Sequence, residues 1–193
     1  MLKYVEDKLV AAAALMLLSP VIFTVAILIK LDSKGPVLYK QNRHGFGGKQ
    51  FKIYKFRTMT EEASSAEFKQ AVKDDPRITR IGKTLRRLSI DELPQLLNVL
   101  NGSMSIVGPR PHPMGLNESF RHSIDSYMQR HSVKPGITGL AQVHGFRGET
   151  REKWQMEQRI SYDLEYVRNW SIALDIWILW RTITHLVSKE NAY

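Results

Sequence analysis

The chain has 193 residues, of which 43% are hydrophobic and 24% charged, a balance typical of one folded domain and not of a disordered chain. Its formal net charge of +9 points to a polyanionic partner, but charge alone does not decide between nucleic acid, an anionic bilayer and a phosphorylated substrate. The absence of cysteine excludes disulfides, thiolate metal sites and thiol nucleophiles.

An uncharged segment from Leu9 to Ile29 is long enough to enter a bilayer. As a straight helix rising about 1.5 Å per residue it would span roughly 30 Å, the thickness of the hydrocarbon core. Pro20 lacks the amide that would bond the Met16 carbonyl, so we expect a kink or break there, with the Ser19 hydroxyl able to bond the freed carbonyl. Two half-helices would then enter and leave the membrane by the same face.

A signal peptide and a buried helix of a soluble protein are the alternative interpretations of this segment. It is too long for a signal peptide and no small-x-small cleavage site follows it, and uncharged runs of this length are uncommon in soluble cores. Lysines precede and follow it, at Lys3, Lys8, Lys30 and Lys34. Since both flanks suit the cytoplasmic side, the pattern favours re-entry over spanning.

Two β-like segments follow, PVLYKQNRHG and KQFKIYKFRTM, and the turn at residues 45–48 between them predicts a β-hairpin. In the second segment apolar residues alternate imperfectly with Lys52, Lys55 and Arg57. One edge of the hairpin therefore presents cations to a site, or is simply a solvated strand face. Residues 60–76 are predicted to form a polar helix or a mobile loop without chemistry.

The stretch RRLSIDELPQLLNVL at 86–100 carries leucines at three- and four-residue steps, which predict a helix. Its first residues, from Ser89 to Glu92, fit the S-x-x-E capping box, which would make the acids ordinary helix-start residues. Proline is best tolerated in a first helical turn, so Pro94 places the predicted helix start at Ile90 or Asp91.

The same placement gives the two acids a chemical alternative. At the positive end of the helix dipole Asp91 would stay ionised beside a phosphate, and could act as a nucleophile toward phosphorus. Glu92 suits Mg²⁺, which usually bridges carboxylate to substrate phosphate. Arg86 and Arg87 would supply the positive charge that phosphoryl transfer needs.

Two rigid turns come next in the chain. In MSIVGPRPHP the prolines Pro109 and Pro111 hold Arg110 in a stiff turn, and VKPGITGLAQVHG is a glycine-rich loop. Each is a candidate phosphate contact or a plain structural loop. The six histidines show no metal-ligand spacing and are expected to be structural or surface groups.

The C-terminal stretch NWSIALDIWILWRTITHLV is amphipathic at helical spacing. One face carries Ile172, Ile176, Leu179, Ile183 and Leu186, and the other carries Asp175, Thr182, His185 and Lys189. Its tryptophans suit the boundary between headgroups and acyl chains. Such a helix lies in a membrane interface or packs on an ordinary core, and periodicity does not separate the two.

Together these segments resemble the monotopic phosphoglycosyl transferases, also called bacterial sugar transferases, over nearly the whole chain. The motifs that carry the resemblance are KFRTM at 55–59, LRR at 85–87 leading into SIDELPQ at 89–95, VGPRP at 107–111, KPGITG at 134–139 and YDLEY at 162–166. The resemblance implies an α+β fold: a mostly helical monotopic membrane protein with an N-terminal re-entrant helix-break-helix, a small β-hairpin and C-terminal interfacial amphipathic helices. Residues 1–193 would be one catalytic domain, with 1–34 in the membrane and 35–193 at its cytoplasmic face.

The resemblance also implies roles for individual residues. Asp91 would attack the sugar-proximal phosphorus of a UDP-sugar, expel UMP and hold a covalent phosphosugar, while Glu92 would ligate Mg²⁺. The remaining residues would bind substrate or support the acidic pair: Arg86, Arg110, Lys55, Arg57 and Asp163. Polyprenyl phosphate would then attack the intermediate.

HSVKPGITGLAQVHGFRGET and the terminal NAY most resemble the glucose-1-phosphate transferases of exopolysaccharide and capsule assembly. The implied reaction is transfer of glucose 1-phosphate from UDP-glucose to undecaprenyl phosphate at the bacterial inner membrane, with no nucleic acid partner and with a homodimer left open. UDP-galactose and UDP-N-acetylhexosamines are alternative donors. A single displacement with Asp91 only as a metal ligand is a second alternative. A non-enzymatic, membrane-anchored basic binding protein, with Asp91 and Glu92 merely capping a helix, is the third.

Overall fold

The computed structural model describes residues 2–60, 72, 75–148, 150 and 152–188. Its helices are α1 (Leu2–Asp32), α2 (Arg80–Arg87), α3 (Gln95–Leu100), α4 (Met114–Phe120), α5 (Leu140–Val143), α6 (Lys153–Asn169) and α7 (Ile172–Ser188). Its strands are β1 (Leu38–His44), β2 (Gln50–Phe56), β3 (Ser105–Val107) and β4 (Gly136–Thr138). The mostly helical α+β class is confirmed. Most of the predicted polar segment at 60–76, and the terminal NAY, lie outside the described residues.

Helix α1 runs without interruption through Pro20, so the predicted break into two half-helices is absent. The Ser19 hydroxyl donates to the Met16 carbonyl at 2.9 Å, which confirms the predicted replacement of the missing proline amide. Because only one amide is lost and a neighbouring hydroxyl takes its acceptor, the helix continues. Within the described residues it is the one helix long and apolar enough to cross a membrane by length and composition.

Both ends of α1 are bonded to the rest of the described structure. Near the N-terminal end the buried Asp7 carboxylate accepts hydrogen bonds from the Ser105 hydroxyl and the Ile106 amide, each at 2.9 Å. Near the C-terminal end Asp32 accepts from the Ile81 amide at 3.2 Å. The outward surface between these ends is apolar and exposed, so α1 lies along the protein with one side uncovered.

Strands β1 and β2 form the predicted antiparallel hairpin, with Leu38 opposite Phe56 and His44 opposite Gln50. The hairpin is fastened to α3 through one buried side chain. The Asn98 carboxamide accepts from the Tyr54 amide at 2.9 Å and donates to the Lys52 carbonyl at 2.8 Å. This contact brings β2, and with it Lys55, against the segment that carries the two acids.

Strands β3 and β4 form a short parallel pair that joins the two predicted rigid turns. Their backbones approach too closely for any side chain at the crossing. A Cβ added to Gly136 would lie 2.1 Å from the Gly108 amide nitrogen, and one added to Gly139 would lie 2.2 Å from the Gly108 carbonyl oxygen. The KPGITG loop therefore supports the VGPRP turn that holds Arg110.

Helix α7 packs its polar side inward together with the fully buried Ile178. The buried Asp175 carboxylate accepts from the Tyr166 hydroxyl at 2.8 Å and from the Trp170 indole at 3.0 Å. On the opposite side Ile176 and Ile183 are 59% and 62% exposed. Of the two interpretations of this helix, an ordinary core helix would bury its apolar face, so the structure favours the interfacial one.

Candidate active site

The two acids lie on a short 3₁₀ turn, Ile90–Glu92, ahead of α3. A 3₁₀ turn begins at Ile90, but the α-helix itself begins only at Gln95, so the predicted helix start at Ile90 or Asp91 is too early. The capping box is absent as well, because Ser89 has a left-handed backbone with φ 56° and makes no side-chain cap hydrogen bond. An N-cap residue needs an extended backbone, so the local S-x-x-E pattern was misleading here. The Glu92 side chain turns away from the Ser89 backbone toward cations.

Glu92 is buried among three basic side chains that come from distant parts of the chain. One carboxylate oxygen lies 2.9 Å from Lys55 Nζ and 2.6 Å from an Arg110 guanidinium nitrogen. The other lies 3.2 Å from the Arg147 guanidinium. Burial acts to raise the pKa of Glu92, but Arg110, Lys55 and Arg147 together hold it well below its usual range. Glu92 is therefore an ionised carboxylate.

Asp91 differs from its neighbour in having a carboxylate without a hydrogen bond. It is 8% exposed, and among the described residues no donor hydrogen-bonds its oxygens. Burial raises the pKa of Asp91, Lys55 opposes that shift and the Glu92 charge adds to it. Asp91 does not lie at the start of an α-helix, and burial shifts its pKa upward, opposite to the direction in which the predicted helix dipole would act. An oxygen with unshared lone pairs next to positive charge has the properties of a nucleophile toward phosphorus.

The cations predicted around the acids are only partly brought together. Lys55 and Arg110 contact Glu92 directly, and the positive charge of Arg86, at the end of α2, acts on Asp91 through space. Arg57 has other partners: its guanidinium donates to the Lys34 carbonyl and, at 2.9 Å, to the Ser33 carbonyl at the end of α1. The structure therefore places Arg57 at the junction with α1 and not beside the two acids.

Asp163 supports the site through two intermediate residues. The Arg130 guanidinium pairs with the buried Asp163 carboxylate at 2.6 Å and donates to the Arg110 carbonyl, also at 2.6 Å. Arg110 in turn reaches Glu92 with its own guanidinium. Asp163 thus fixes the backbone of the VGPRP turn and, through it, the cation that holds Glu92.

Sequence reasoning missed Arg130 and Arg147. Arg147 belongs to the stretch HGFRGET and Arg130 to YMQRHS, and neither follows a spacing that links it to the acids. Their partners Asp163 and Glu92 are 33 and 55 residues away along the chain. The sequence signal for these two arginines was the excess of basic residues in the chain. That excess does not indicate which basic residues lie close to the acids in the folded protein.

His112, expected to be structural or on the surface, is buried in the same region. A guanidinium nitrogen of Arg130 lies 2.7 Å from its Nδ1. Burial, followed by the charges of Arg130 and Arg159, lowers the pKa of His112 well below its usual value, so the ring is neutral. Among the described residues its Nε2 has no hydrogen-bond partner, and the same holds for both side-chain amide atoms of the buried Gln95.

A divalent cation would find few protein ligands here. Within the described residues no group of three or more His, Cys, Asp or Glu side chains converges. The Asp91 and Glu92 carboxylates still match the chemistry of Mg²⁺, which is commonly held by one or two carboxylates together with substrate phosphates. Since Lys55, Arg110 and Arg147 occupy both oxygens of Glu92, Asp91 is the more available ligand.

The arrangement combines an unbonded carboxylate, an adjacent ionised carboxylate and a surrounding set of cations. Cations placed where charge develops are what transfer of a phosphoryl group requires. The structure contradicts the alternative that Asp91 and Glu92 only cap a helix, because Ser89 makes no capping hydrogen bond and Glu92 pairs with cations. The site is therefore a candidate centre for chemistry on a phosphate.

Comparison with known proteins agrees with this chemistry. The sequence profile of the bacterial sugar transferase family matches residues 1–189. A UDP-glucose:undecaprenyl-phosphate glucose-1-phosphate transferase of Xanthomonas campestris pv. campestris is 52% identical over 99% of this chain and 40% of its own length. Proteins of the same name from Escherichia coli K12 and Caulobacter vibrioides are 50% and 46% identical, over 100% and 99% of this chain and 42% and 72% of their own lengths. The chain spans about two fifths of the first two relatives, and it belongs to the bacterial sugar transferase family.

Proposed function

We propose that this chain transfers a sugar 1-phosphate, first of all glucose 1-phosphate, from a UDP-sugar to undecaprenyl phosphate with release of UMP. The names of its relatives and their identity across the full chain support this activity. The observation that carries the proposal is the Asp91 carboxylate, which accepts no hydrogen bond from any described residue and lies beside Glu92 within a cluster of cations. The product would enter exopolysaccharide or capsule assembly.

The proposed route has two displacements at one phosphorus atom. An Asp91 oxygen attacks the phosphorus that carries the sugar, and the bond from that phosphorus to the UMP oxygen breaks. A phosphate oxygen of undecaprenyl phosphate then attacks the same phosphorus and releases the Asp91 carboxylate. Arg110, Lys55 and Arg86 neutralise charge in each step, and bound Mg²⁺, held by Asp91 or Glu92 with substrate phosphates, would add Lewis-acid stabilisation.

The test is UMP release by the purified chain in nanodiscs with Mg²⁺, undecaprenyl phosphate and UDP-glucose. UMP should require both the lipid and Asp91, and Asp91→Asn should abolish it. Asp125→Asn makes the same chemical change at an exposed position and should leave turnover intact. A phosphosugar trapped on Asp91 and detected by mass spectrometry would support two displacements. Turnover in Asp91→Asn would overturn the nucleophile assignment.

Donor identity is tested in the same assay. UDP-galactose and UDP-N-acetylhexosamines replace UDP-glucose at equal concentration, and the proposal expects the largest kcat/KM with UDP-glucose. If folded protein releases no UMP with any of these donors, the non-enzymatic binding protein is favoured. In that case Asp91→Asn would change no turnover at all.

For the membrane we propose that α1 enters and leaves the bilayer by the same face, bent by a kink at Pro20 and not by a break in the helix, with the active site at the cytoplasmic face of the bacterial inner membrane. Hydrogen bonds hold Asp7 and Asp32, at opposite ends of α1, to the same stretch of chain at 75–148. A straight crossing would leave these ends on opposite sides of the bilayer. The exposed apolar surface of α1 and the exposed isoleucines of α7 supply the area that would enter lipid.

Cysteine labelling tests this topology, because the natural chain contains no cysteine. Leu2→Cys and, as a reference on an exposed part of α6, Lys153→Cys should both resist an impermeant maleimide applied to intact spheroplasts. Both should react after lysis. Labelling of position 2 in intact spheroplasts would contradict re-entry.

A further inference from the structure

Three hydrogen-bond donors beside Arg110 have no partner within the part of the chain that the structure describes. They are the Nε2 of His112 and the Nε atoms of Arg43 and Arg159, each with its surface buried. His112 is 2% exposed and Arg159 is 5% exposed. Buried hydrogen-bond donors normally have an acceptor. Three donors without one in the same region therefore indicate that a bound molecule provides the acceptor.

The proton on His112 can be assigned from its neighbour. The Tyr127 hydroxyl and an Arg130 guanidinium nitrogen each lie 2.7 Å from the Nδ1 of His112. A hydroxyl can donate or accept but a guanidinium can only donate, so Arg130 makes Nδ1 an acceptor. The ring is neutral because burial and surrounding arginines depress its pKa. Its proton is therefore on Nε2, and the unpartnered atom is a donor.

The same region carries more positive than negative charge. Its basic side chains are Lys55, Arg43, Arg110, Arg130, Arg147 and Arg159, and its carboxylates are Asp91, Glu92 and Asp163. Burial, together with Arg110, lowers the pKa of Arg43 to about 9 and that of Arg159 to about 10. Water would satisfy the donors but leave this charge uncompensated, whereas an anion with several acceptor oxygens would do both.

The three donors come from β1, the segment following the VGPRP turn, and α6. Helix α1 packs instead against α2, α3 and β3. None of the three donors comes from α1, the helix that carries the exposed apolar surface, so an anion at these donors suits a soluble phosphate compound.

We infer that His112, Arg43 and Arg159 form a subsite beside Arg110 that binds the diphosphate of the nucleotide-sugar donor. The inference rests on the proposed function for the identity of the donor, but the anion site itself follows from the unpartnered donors. In this arrangement Arg110 links the two parts of the site, since it holds Glu92 through its guanidinium and lies beside the diphosphate subsite.

The test is direct binding of UDP to the full chain in nanodiscs by calorimetry, without lipid acceptor and hence without turnover. His112→Asn keeps an acceptor at the position of Nδ1 for Arg130 and deletes the Nε2 donor. It should weaken UDP binding about tenfold or more, which is the loss expected for one hydrogen bond to a charged group. His122→Asn, the same change at an exposed position, should bind UDP within twofold of the natural chain.

Arg159→Lys provides a second variant in case the first does not fold. It keeps a cation that can reach the Gly148 carbonyl and removes the Nε donor, with Arg168→Lys on the exposed side of α6 as its matched control. It should also weaken UDP binding about tenfold. Uridine, which has no phosphate, should bind weakly and equally to all variants.

Each result has one meaning. Unchanged UDP affinity in folded His112→Asn and Arg159→Lys would overturn the subsite. Loss of undecaprenyl phosphate binding with UDP binding intact would also overturn it, by assigning these residues to the acceptor. Residue-dependent UDP binding in a chain that releases no UMP would uphold the subsite and refute the proposed function.

Discussion

Removing the charge of Glu92 should destabilise the protein strongly, because three cations are arranged around that carboxylate. Glu92→Gln preserves shape and leaves Lys55, Arg110 and Arg147 without their shared counter-ion. Each contact near 3 Å corresponds to about 5 kcal/mol at an effective dielectric constant near 20, before desolvation is subtracted. Arg147 is 34% exposed and contributes less through solvent screening.

The net loss expected on breaking such a buried cluster from one side is about 3–5 kcal/mol. For a chain of this size that corresponds to a fall in Tm of about 6–20 °C. Thermal unfolding in nanodiscs, followed by tryptophan fluorescence, measures it. Glu165→Gln on an exposed part of α6 is the matched control and should shift Tm by less than about 2 °C.

A double variant separates charge repulsion from loss of the carboxylate itself. Lys55→Met in the Glu92→Gln background removes one of the stranded cations, so it should recover about 1–2 kcal/mol of the lost free energy of unfolding. A Glu92→Gln protein that melts within 2 °C of the natural chain would refute the reasoning, as would a double variant less stable than the single one.

Three further variants test individual features of the site region. Gln95→Met should raise the free energy of unfolding by about 1 kcal/mol in a thermal melt, because it removes two buried amide atoms without partners; a lower Tm would show that the amide is bonded. Ser89→Gly should raise it by about 0.5–1 kcal/mol, since the left-handed backbone penalises a Cβ, and a loss of stability would restore the capping interpretation. Burial, with the charge of Arg130 adding to it, lowers the pKa of His131 to about 4. The unfolded chain therefore binds this proton at a higher pH than the folded protein, and stability falls as pH drops from 6.5 to 4. Chemical unfolding across that range should show a shallower fall in His131→Gln.

Local signals in the sequence were sufficient for several parts of the fold. The glycine turn between alternating segments gave the hairpin, the two prolines gave the stiff turn around Arg110, and the serine before Pro20 gave its hydrogen bond to Met16. Each depends on residues close together in the chain. Steric limits on glycine and proline act over a few residues, so such features survive whatever tertiary structure surrounds them.

The features that sequence reasoning lacked or misjudged depend on distant partners. The S-x-x-E pattern fits a capping box, but the partners of Glu92 are at positions 55, 110 and 147, and their combined charge overrides the local preference. Periodicity defined two faces of α7 but not which one is buried, since Asp175 and Thr182 find partners only in the folded protein. Arg57 belongs to the KFRTM motif, one of those that carry the family resemblance, yet its contacts are with the end of α1.

The close crossing of β3 and β4 restricts how this protein could be recombined with its relatives. Residues 107–111 and 134–139 touch backbone to backbone, and neither Gly136 nor Gly139 leaves room for a methyl group against Gly108. A chimera that imports only one of these segments would keep its fold only if the incoming backbone followed the same path. The two segments should therefore be exchanged together, as one unit, in any chimera between members of the family.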